Sequence, residues 1–402
     1  MGPLTLPLLE CEDAAWFREA ETLPAAARTA ARAIAHRAGL LPERVAEVGL
    51  AVSEAATNLR RHAVDGSLLL RLVRTDTEAA LEFVTLDSGP GMADVPHALT
   101  DGVSSGGTLG IGLGAISRLA DTFDLLSVPG EGTLMTARFW NRTPGGRRAA
   151  AVREPVVAGI TRPMSGQDHC GDAWAARSVR PGPPAAPADG GAGVHRVAHP
   201  AGGLDWSVLT GSAPRPRPVP REERPHPAAP PAQTTGFLVV FCDGLGHGPL
   251  AARATRTAVE AFRRSPARSP EGVLADIHRE MRSGRGGAVA VALVEPAENR
   301  VTFCGVGNIA TFVVDPHSGT RRSLPSAPGI VGHQMPTLHT VRHELPPGSA
   351  VVMHSDGLTD RWQVPGLARA LSHLPVTAAA LLLRDAGVRR DDAGVLVAKG
   401  LW

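Results

Sequence analysis

Val52-Ser-Glu-Ala-Ala-Thr-Asn-Leu-Arg-Arg-His-Ala63 places a carboxylate, Glu54, and a carboxamide, Asn58, four residues apart. Apolar side chains recur through and before it at Val45, Val48, Val52, Ala55 and Leu59, the spacing of one buried helix face. Glu54 and Asn58 therefore share a strip one turn long that flanks the apolar stripe. Upstream, Ala25 to Ala38 reads as a second helix, rich in Ala and Arg. Downstream, Leu68 to Val73 and Ala80 to Leu86 read as strands bounded by polar or turn residues, which leaves Asp87 at a strand exit. A Gly/Ser-rich stretch then feeds a helix reaching about Asp121, and Phe123 to Val128 pairs with Thr133 to Trp140 across Pro129-Gly-Glu-Gly132 as a hairpin. Helices and strands in this order make one α/β unit of domain size.

The 402 residues are too many for one ordinary core and suit two domains. Asn141-Arg-Thr-Pro-Gly-Gly-Arg-Arg148 reads as a linker, and beyond it short β-rich runs dominate, at Val239 to Cys242, Ala288 to Val294, Val301 to Cys304, Ala310 to Val314, Ala350 to His354 and Gly394 to Ala398. Between Pro181 and Pro231 the chain is crowded with Pro, Ala, Gly and Arg, a composition that buries too little apolar surface to fold alone. The expected division is residues 1–142, a linker at 143–154, and 155–402 with a Pro-rich, disordered insertion at about 178–234. A formal charge of +2 gives no broad field for nucleic acid or a membrane surface, and no apolar run is long enough to cross a bilayer. Met1-Gly-Pro-Leu-Thr lacks a basic signal-peptide region, and the four cysteines form neither a metal-spaced pair nor a secreted disulfide framework. A cytoplasmic protein is expected.

Two constellations carry chemistry. In the first, a carboxylate at Glu54 can accept the proton of an attacking hydroxyl, and the amide oxygen of Asn58 can hold a magnesium ion on nucleotide phosphates. Taken alone, the pair reads rather as two solvated polar residues. In Asp87-Ser-Gly-Pro-Gly91 a carboxylate can accept from an adenine amine while Gly89 and Gly91 let backbone approach the ring; its plainer reading is an Asp/Gly turn. Gly106, Gly107, Gly110, Gly112 and Gly114 open the next helix, where free N–H groups and the helix dipole favour phosphate oxygens. In the second, Phe237-Leu-Val-Val-Phe-Cys-Asp-Gly-Leu-Gly-His-Gly248 runs a buried strand into Asp243, and Ala350-Val-Val-Met-His-Ser-Asp-Gly-Leu-Thr-Asp360 repeats the design at Asp356. Strands ending side by side can converge such carboxylates on hard divalent ions. Asp-Gly after a strand is also an ordinary hairpin turn. Cys170-Gly-Asp-Ala-Trp174 and Arg389-Arg-Asp-Asp-Ala-Gly-Val395 add Asp172, Asp391 and Asp392. His169, His247 and His354 adjoin these aspartates and read as bystanders, because an oxygen-only shell suits Mg²⁺ or Mn²⁺.

Over residues 10–140 the segments Val52–Ala63, Leu86-Asp-Ser-Gly-Pro-Gly-Met92, Gly110-Ile-Gly-Leu-Gly-Ala-Ile-Ser-Arg-Leu-Ala-Asp121 and Glu131-Gly-Thr-Leu-Met-Thr-Ala-Arg-Phe-Trp140 together resemble the GHKL ATPase/kinase superfamily. They are most similar to the serine-protein kinases of partner-switching and stressosome systems, which include anti-sigma factors. That resemblance implies a Bergerat α/β sandwich binding ATP and Mg²⁺, with Asn58 as magnesium ligand, Glu54 as catalytic base, Asp87 as adenine acceptor and Gly106 to Gly114 as phosphate cradle and lid. With no phosphoacceptor-histidine dimerisation helix in the sequence, direct transfer to a protein Ser or Thr is expected.

From about 155 to 399 the aspartate segments, with Pro249-Leu-Ala-Ala-Arg-Ala-Thr-Arg-Thr-Ala-Val259, resemble type 2C metal-dependent phosphatases of the sporulation-stage-II-E branch. The resemblance implies an αββα sandwich in which Asp243 bridges two Mn²⁺ or Mg²⁺ ions. Asp172, Asp356, one of Asp391 and Asp392, and the Gly244 carbonyl would complete the shell, and a metal-activated water would hydrolyse phosphoserine or phosphothreonine. The family's usual Asp-Asp-x-Thr ending stands here as Asp391-Asp-Ala-Gly394, and loss of that hydroxyl is expected to loosen the last ligand. The expected whole is a bacterial α/β (α+β) switch protein. It would phosphorylate and dephosphorylate a STAS-domain anti-sigma antagonist or stressosome protein, with a sigma factor or another phosphatase as alternative partner. The rival expectations are a phosphatase whose N-terminal domain only binds ATP as a regulator, and one whose N-terminal domain is an adaptor.

Overall fold

The structure, a computed structural model, describes residues 8–18, 21–75, 77–100, 112–141, 155–179 and 236–400. The linker expected at 143–154, most of the expected insertion, and Gly106, Gly107 and Gly110 lie outside the described residues. The N-terminal domain comprises β1 (Glu10–Arg18), α1 (Leu23–Arg37), α2 (Pro42–His62), β2 (Ser67–Arg74), β3 (Ala79–Leu86), a single turn α3 (Val95–Ala98), α4 (Gly112–Leu119), β4 (Thr122–Val128) and β5 (Gly132–Trp140). Its five strands form one antiparallel sheet in the order β1-β2-β3-β5-β4. α2 starts at Pro42, whose missing N–H costs nothing in a first turn, and ends on Arg60, Arg61 and His62, which suit the negative end of the helix dipole. Strand alternation divides the sheet. Leu68, Leu70, Leu72, Phe83, Ala137 and Phe139 pack under α1 and α2, and Leu69, Val84, Leu86 and Leu134 point the other way.

The C-terminal domain follows with β6 (Val157–Arg162), β7 (Asp172–Val179), β8 (Gly236–Gly244), α5 (Pro249–Arg264), α6 (Pro270–Met281), β9 (Gly287–Glu295), β10 (Arg300–Val306), β11 (Ala310–Asp315), β12 (Thr320–Ser323), β13 (Val341–Glu344), β14 (Ala350–His354), α7 (Val364–Ala370), α8 (Pro375–Ala386) and β15 (Ala393–Lys399). Strands β12-β11-β14-β15-β6 form an inner sheet and β13-β10-β9-β8-β7 an outer one. They pack face to face through Phe237, Val239, Phe241, Phe303, Val351, Met353 and Leu396. α5 and α6 cover the outer sheet, and α7 and α8 cover the inner one. This is the expected αββα sandwich. The expected insertion needs one correction at its start: Ser178 and Val179 pair with Phe237 and Gly236 as the end of β7, so it begins no earlier than residue 180. No helix among the described residues is long and apolar enough to cross a membrane.

The domains share a core. α8 lies between the inner sheet and the face of the N-terminal sheet opposite α1 and α2, so Leu69, Val84, Leu86 and Leu134 join α8 and the inner strands in one apolar cluster. Burying each such side chain contributes about 1.5–3 kcal/mol. Asp124 of β4 reaches across to the first turn of α8, accepting from Leu374 N (2.9 Å) and Thr377 Oγ1 (2.5 Å) and facing His373 Nδ1 (2.7 Å). A carboxylate at a helix N-terminus is favoured by the dipole. Burial raises the Asp124 carboxyl, but the hydrogen bonds from His373, Thr377 and Leu374 outweigh it and leave the group below the usual range.

Beside this apolar contact runs a row of charges. Asp13, Arg71, Glu82 and Arg138 are cross-strand neighbours on β1, β2, β3 and β5. Arg138 Nη2 lies 2.5 Å and Arg71 Nε 3.0 Å from the Glu82 carboxylate. The C-terminal domain completes the row: Arg71 Nη1 donates to Gly159 O (2.9 Å), and Asp13 Oδ2 accepts from Thr161 N (2.7 Å) and Oγ1 (2.9 Å). Burial works against the Arg71 charge, yet Cys11, Glu82 and Asp13 more than offset it and hold the guanidinium protonated.

Candidate active sites

In the N-terminal domain, Glu54, Asn58, Asp87, Gly91 and Gly112 line one cavity of about 440 Å³ between α2, the β3 exit and the start of α4. The half-buried Glu54 and Asn58 face it from the strip beside the α2 stripe. Asp87 leaves β3 with its side chain turned back, Oδ1 accepting from Gly89 N at 2.7 Å, so Gly89 orients the carboxylate. Gly91 has φ +66°, and a Cβ there would stand 2.1 Å from Val128 O, so only glycine fits. Gly114 is buried in α4. The sequence reading missed Thr85, Met92, His97, Thr133 and Met135, which also line the cavity. Thr85 could have been found: it stands two residues before Asp87 on the strand face that meets the helices.

In the C-terminal domain, pairing of β7 with β8 sets Asp172 directly opposite Asp243. Asp356 follows β14 and Asp391 and Asp392 precede β15, so the two sheets bring their carboxylates to one end of the sandwich. Their mutual repulsion is large. Burial first, and then Asp356, Asp391 and Asp392, push the Asp243 carboxyl up to about 7. Burial and Asp243 hold Asp172 well above the usual carboxylate range against the opposing hydrogen bond from Ser355, and burial with Asp391 raises Asp356. Gly244, at the end of β8, is packed so closely on the Ala251 carbonyl that a Cβ would lie 2.6 Å from it.

The two final aspartates differ. Asp392 is buried, and each of its oxygens accepts a backbone amide, from Met164 N (2.8 Å) and Gly171 N (2.7 Å). Asp391 is exposed and adds its charge to Asp243 and Asp356. Asp392 therefore holds loops together, while its charge still acts on Asp243 and Asp172. Two residues outside the expected set bind its members: Ser355 Oγ donates to Asp172 Oδ2 (2.6 Å), and Asn308 Nδ2 donates to Asp356 Oδ2 (2.8 Å). His354 Nδ1 lies 2.9 Å from Ser355 O, and Nε2 accepts from Trp362 Nε1, so its ring is engaged in the core rather than in the cluster.

Whether this set suits a cation turns on two observations that pull apart. Among the described residues no three His, Cys, Asp or Glu side chains surround one point closely enough to hold an ion. Asp172 Oδ1, however, is buried with no hydrogen-bond partner, in the midst of repelling carboxylates. That unsatisfied oxygen offers an acceptor to a cation, and an all-oxygen donor set fits Mg²⁺ or Mn²⁺.

Gly394 is not a weak point. Its amide donates to Ser355 Oγ (3.1 Å), and a Cβ there would stand 2.7 Å from Phe241 Cζ and 3.0 Å from Asp172 Oδ2. The last carboxylate is fixed by backbone amides instead of a neighbouring hydroxyl. Gly394→Thr is therefore expected to lose about 1–3 kcal/mol by overpacking, read as a lower urea midpoint at unchanged slope; equal or greater stability would contradict this packing.

Residues 18–139 match the family model of the histidine kinase-like ATPase domain, and residues 233–399 match that of stage II sporulation protein E. The serine/threonine-protein kinase RsbT of Bacillus subtilis (strain 168) is 37% identical over 117 residues, which make up 29% of this chain and 88% of RsbT. The phosphoserine phosphatase RsbX of the same organism is 26% identical over 123 residues, 30% of this chain and 61% of RsbX. A crystal structure of RsbX in complex with magnesium superposes with a TM-score of 0.41 at 15% identity, covering 60% of this chain and 94% of that one. The chain thus belongs in its N-terminal domain to the histidine kinase-like ATPase family, with RsbT, and its C-terminal domain is of the stage II sporulation protein E type.

Proposed function

We propose that this chain is a two-way switch enzyme: the N-terminal domain transfers phosphate from ATP to a Ser or Thr of a partner protein, and the C-terminal domain removes it. A kinase-like and a type 2C phosphatase domain on one chain make up a partner-switching architecture. The single observation that carries the proposal is that one chain holds both the Glu54/Asn58/Asp87 cavity and the aspartate cluster. RsbT is a serine/threonine-protein kinase and RsbX a phosphoserine phosphatase, which supports a protein phosphorylated on Ser or Thr as the shared substrate; a STAS-type antagonist or stressosome protein is the proposed one. We assign residues 1–142 to the first activity and 155–402 to the second.

In the first site Glu54 would take the hydroxyl proton of the acceptor, Asn58 would hold Mg²⁺, and Asp87 would accept from adenine. In the second, Asp172, Asp243, Asp356 and Asp391 would hold Mn²⁺ or Mg²⁺, which supplies Lewis acidity and an activated water for phosphoester hydrolysis. Ser355 and Asn308 fix Asp172 and Asp356 for that role, and Asp392 anchors the loops carrying the ligands.

The test uses the full chain with Asp243→Ala, labelled ATP and a STAS-domain protein. Label should pass to the partner, and Glu54→Gln should lower that rate by about 10²–10⁴-fold, the usual contribution of a general base, with nucleotide still bound. Bound nucleotide and no transfer would leave the N-terminal domain as a regulator of the phosphatase, a second reading that the shared α8 core supports.

A further inference from the structure

The nucleotide pocket is lined by N-terminal residues, but one of its walls is held from the other domain. α8 ends beneath the β3 exit, where Arg384, only 9% exposed, donates from Nη1 to the Asp87 carbonyl at 3.2 Å. On its other side the Asp87 peptide is clamped by β5. Asp87 N donates to Thr133 O (3.0 Å), and Gly132 lies so close that a Cβ would stand 2.1 Å from Asp87 O. The carboxylate of Asp87 hangs from this peptide and turns back to Gly89 N. A shift of the peptide therefore moves the group that faces the cavity.

The opposite wall is gripped from the same segment. Arg389 pairs with Asp65, which follows α2 in a left-handed conformation (φ 57°), and Val64 O accepts from Ser88 N (2.9 Å), joining the end of α2 to the Asp87 loop. The segment is itself braced within its own domain: Val388 N donates to Gly357 O (2.7 Å) and Thr359 N to Ala386 O (2.9 Å).

We infer that Arg384, a residue of the phosphatase domain, is a positioning residue of the N-terminal nucleotide pocket, holding the Asp87 peptide so that its carboxylate meets the base. The inference rests on the nucleotide reading given under Proposed function. It makes the pocket incomplete without the second domain. Lysine can place one donor near the same carbonyl but lacks the planar fork, so it should serve in part.

Binding of the fluorescent nucleotide mant-ADP with Mg²⁺, measured by anisotropy on the full chain, tests it. Arg384→Ala should raise Kd about tenfold, Arg384→Lys should recover part of the loss, and the melting transition should stay cooperative in both. A parent that binds mant-ADP alongside an Arg384→Ala chain that binds equally well overturns the role of Arg384 alone. So does an Arg384→Lys chain no better than Arg384→Ala. A parent that binds no mant-ADP overturns the nucleotide reading and this inference with it.

Discussion

Asp243→Asn should abolish Mn²⁺-dependent phosphoester hydrolysis while making the metal-free protein more stable. The two effects share one cause. Asp243 is half-buried, and desolvation together with the charges of Asp356, Asp391 and Asp392 pushes its carboxyl up to about 7. A carboxyl whose folded-state value is raised favours folding less as pH climbs from its unfolded value near 4 to about 7, and the penalty stays in place above that. Asparagine removes the penalty. The melting temperature of the metal-free protein at pH 8 should rise by roughly 2–8 °C, since each kcal/mol moves a domain of this size by about 2–4 °C. Activity should fall by well over the ~10–100-fold typical of losing an outer partner of a metal ligand. Calorimetry in EDTA and hydrolysis of p-nitrophenyl phosphate with Mn²⁺ would read the two arms. A less stable metal-free variant, or undiminished hydrolysis, would show that the cluster is an ordinary structural network.

Glu82→Ala should cost about 3–5 kcal/mol, the largest loss of stability expected from one substitution in the chain. Glu82 is fully buried between Arg71 and Arg138, themselves 1% and 2% exposed, so among the described residues its removal leaves the two guanidinium groups in the interior with Asp13 as their remaining carboxylate partner. The sign depends on what is removed. Replacing Asp13, Arg71, Glu82 and Arg138 together by Asn, Met, Leu and Met takes out charge and counter-charge at once and should be close to neutral, since buried ion pairs scarcely exceed their own desolvation cost. Urea unfolding of the two variants separates the cases. A Glu82→Ala chain within 1 kcal/mol of the parent would mean that water reaches the row.

Much of this architecture is legible in the amino-acid order, and the exceptions have physical causes. β2, β3, β5 and the long strands of the C-terminal domain announce themselves because their apolar runs are short and bounded by polar or turn residues. β1 does not: Glu10-Cys-Glu-Asp-Ala-Ala-Trp-Phe-Arg18 is polar at its start because Asp13 satisfies Thr161 of the other domain and Arg71 of the next strand. α8 is obscured for the opposite reason. Ten of its twelve residues are buried, so it lacks the polar face that marks a surface helix, and only the sheets on both sides explain this. At the sites, Asp87, Asp243 and Asp356 stand at strand exits that the local sequence reveals. The different settings of Asp391 and Asp392 are not legible locally, because the amides that hold Asp392 belong to residues 164 and 171, more than two hundred positions away.

The placement of α8 also bears on how such a chain can be handled, by a cell or at the bench. Opposing enzymes encoded separately can be balanced by making more of one; with both activities on one chain, as proposed, the ratio would be locked at one to one, and any adjustment would come from ligands or partners. A fragment cut after the N-terminal sheet would bare Leu69, Val84, Leu86 and Leu134 as a greasy wall. Polar replacements at those four positions would be needed before the piece stayed dispersed in solution.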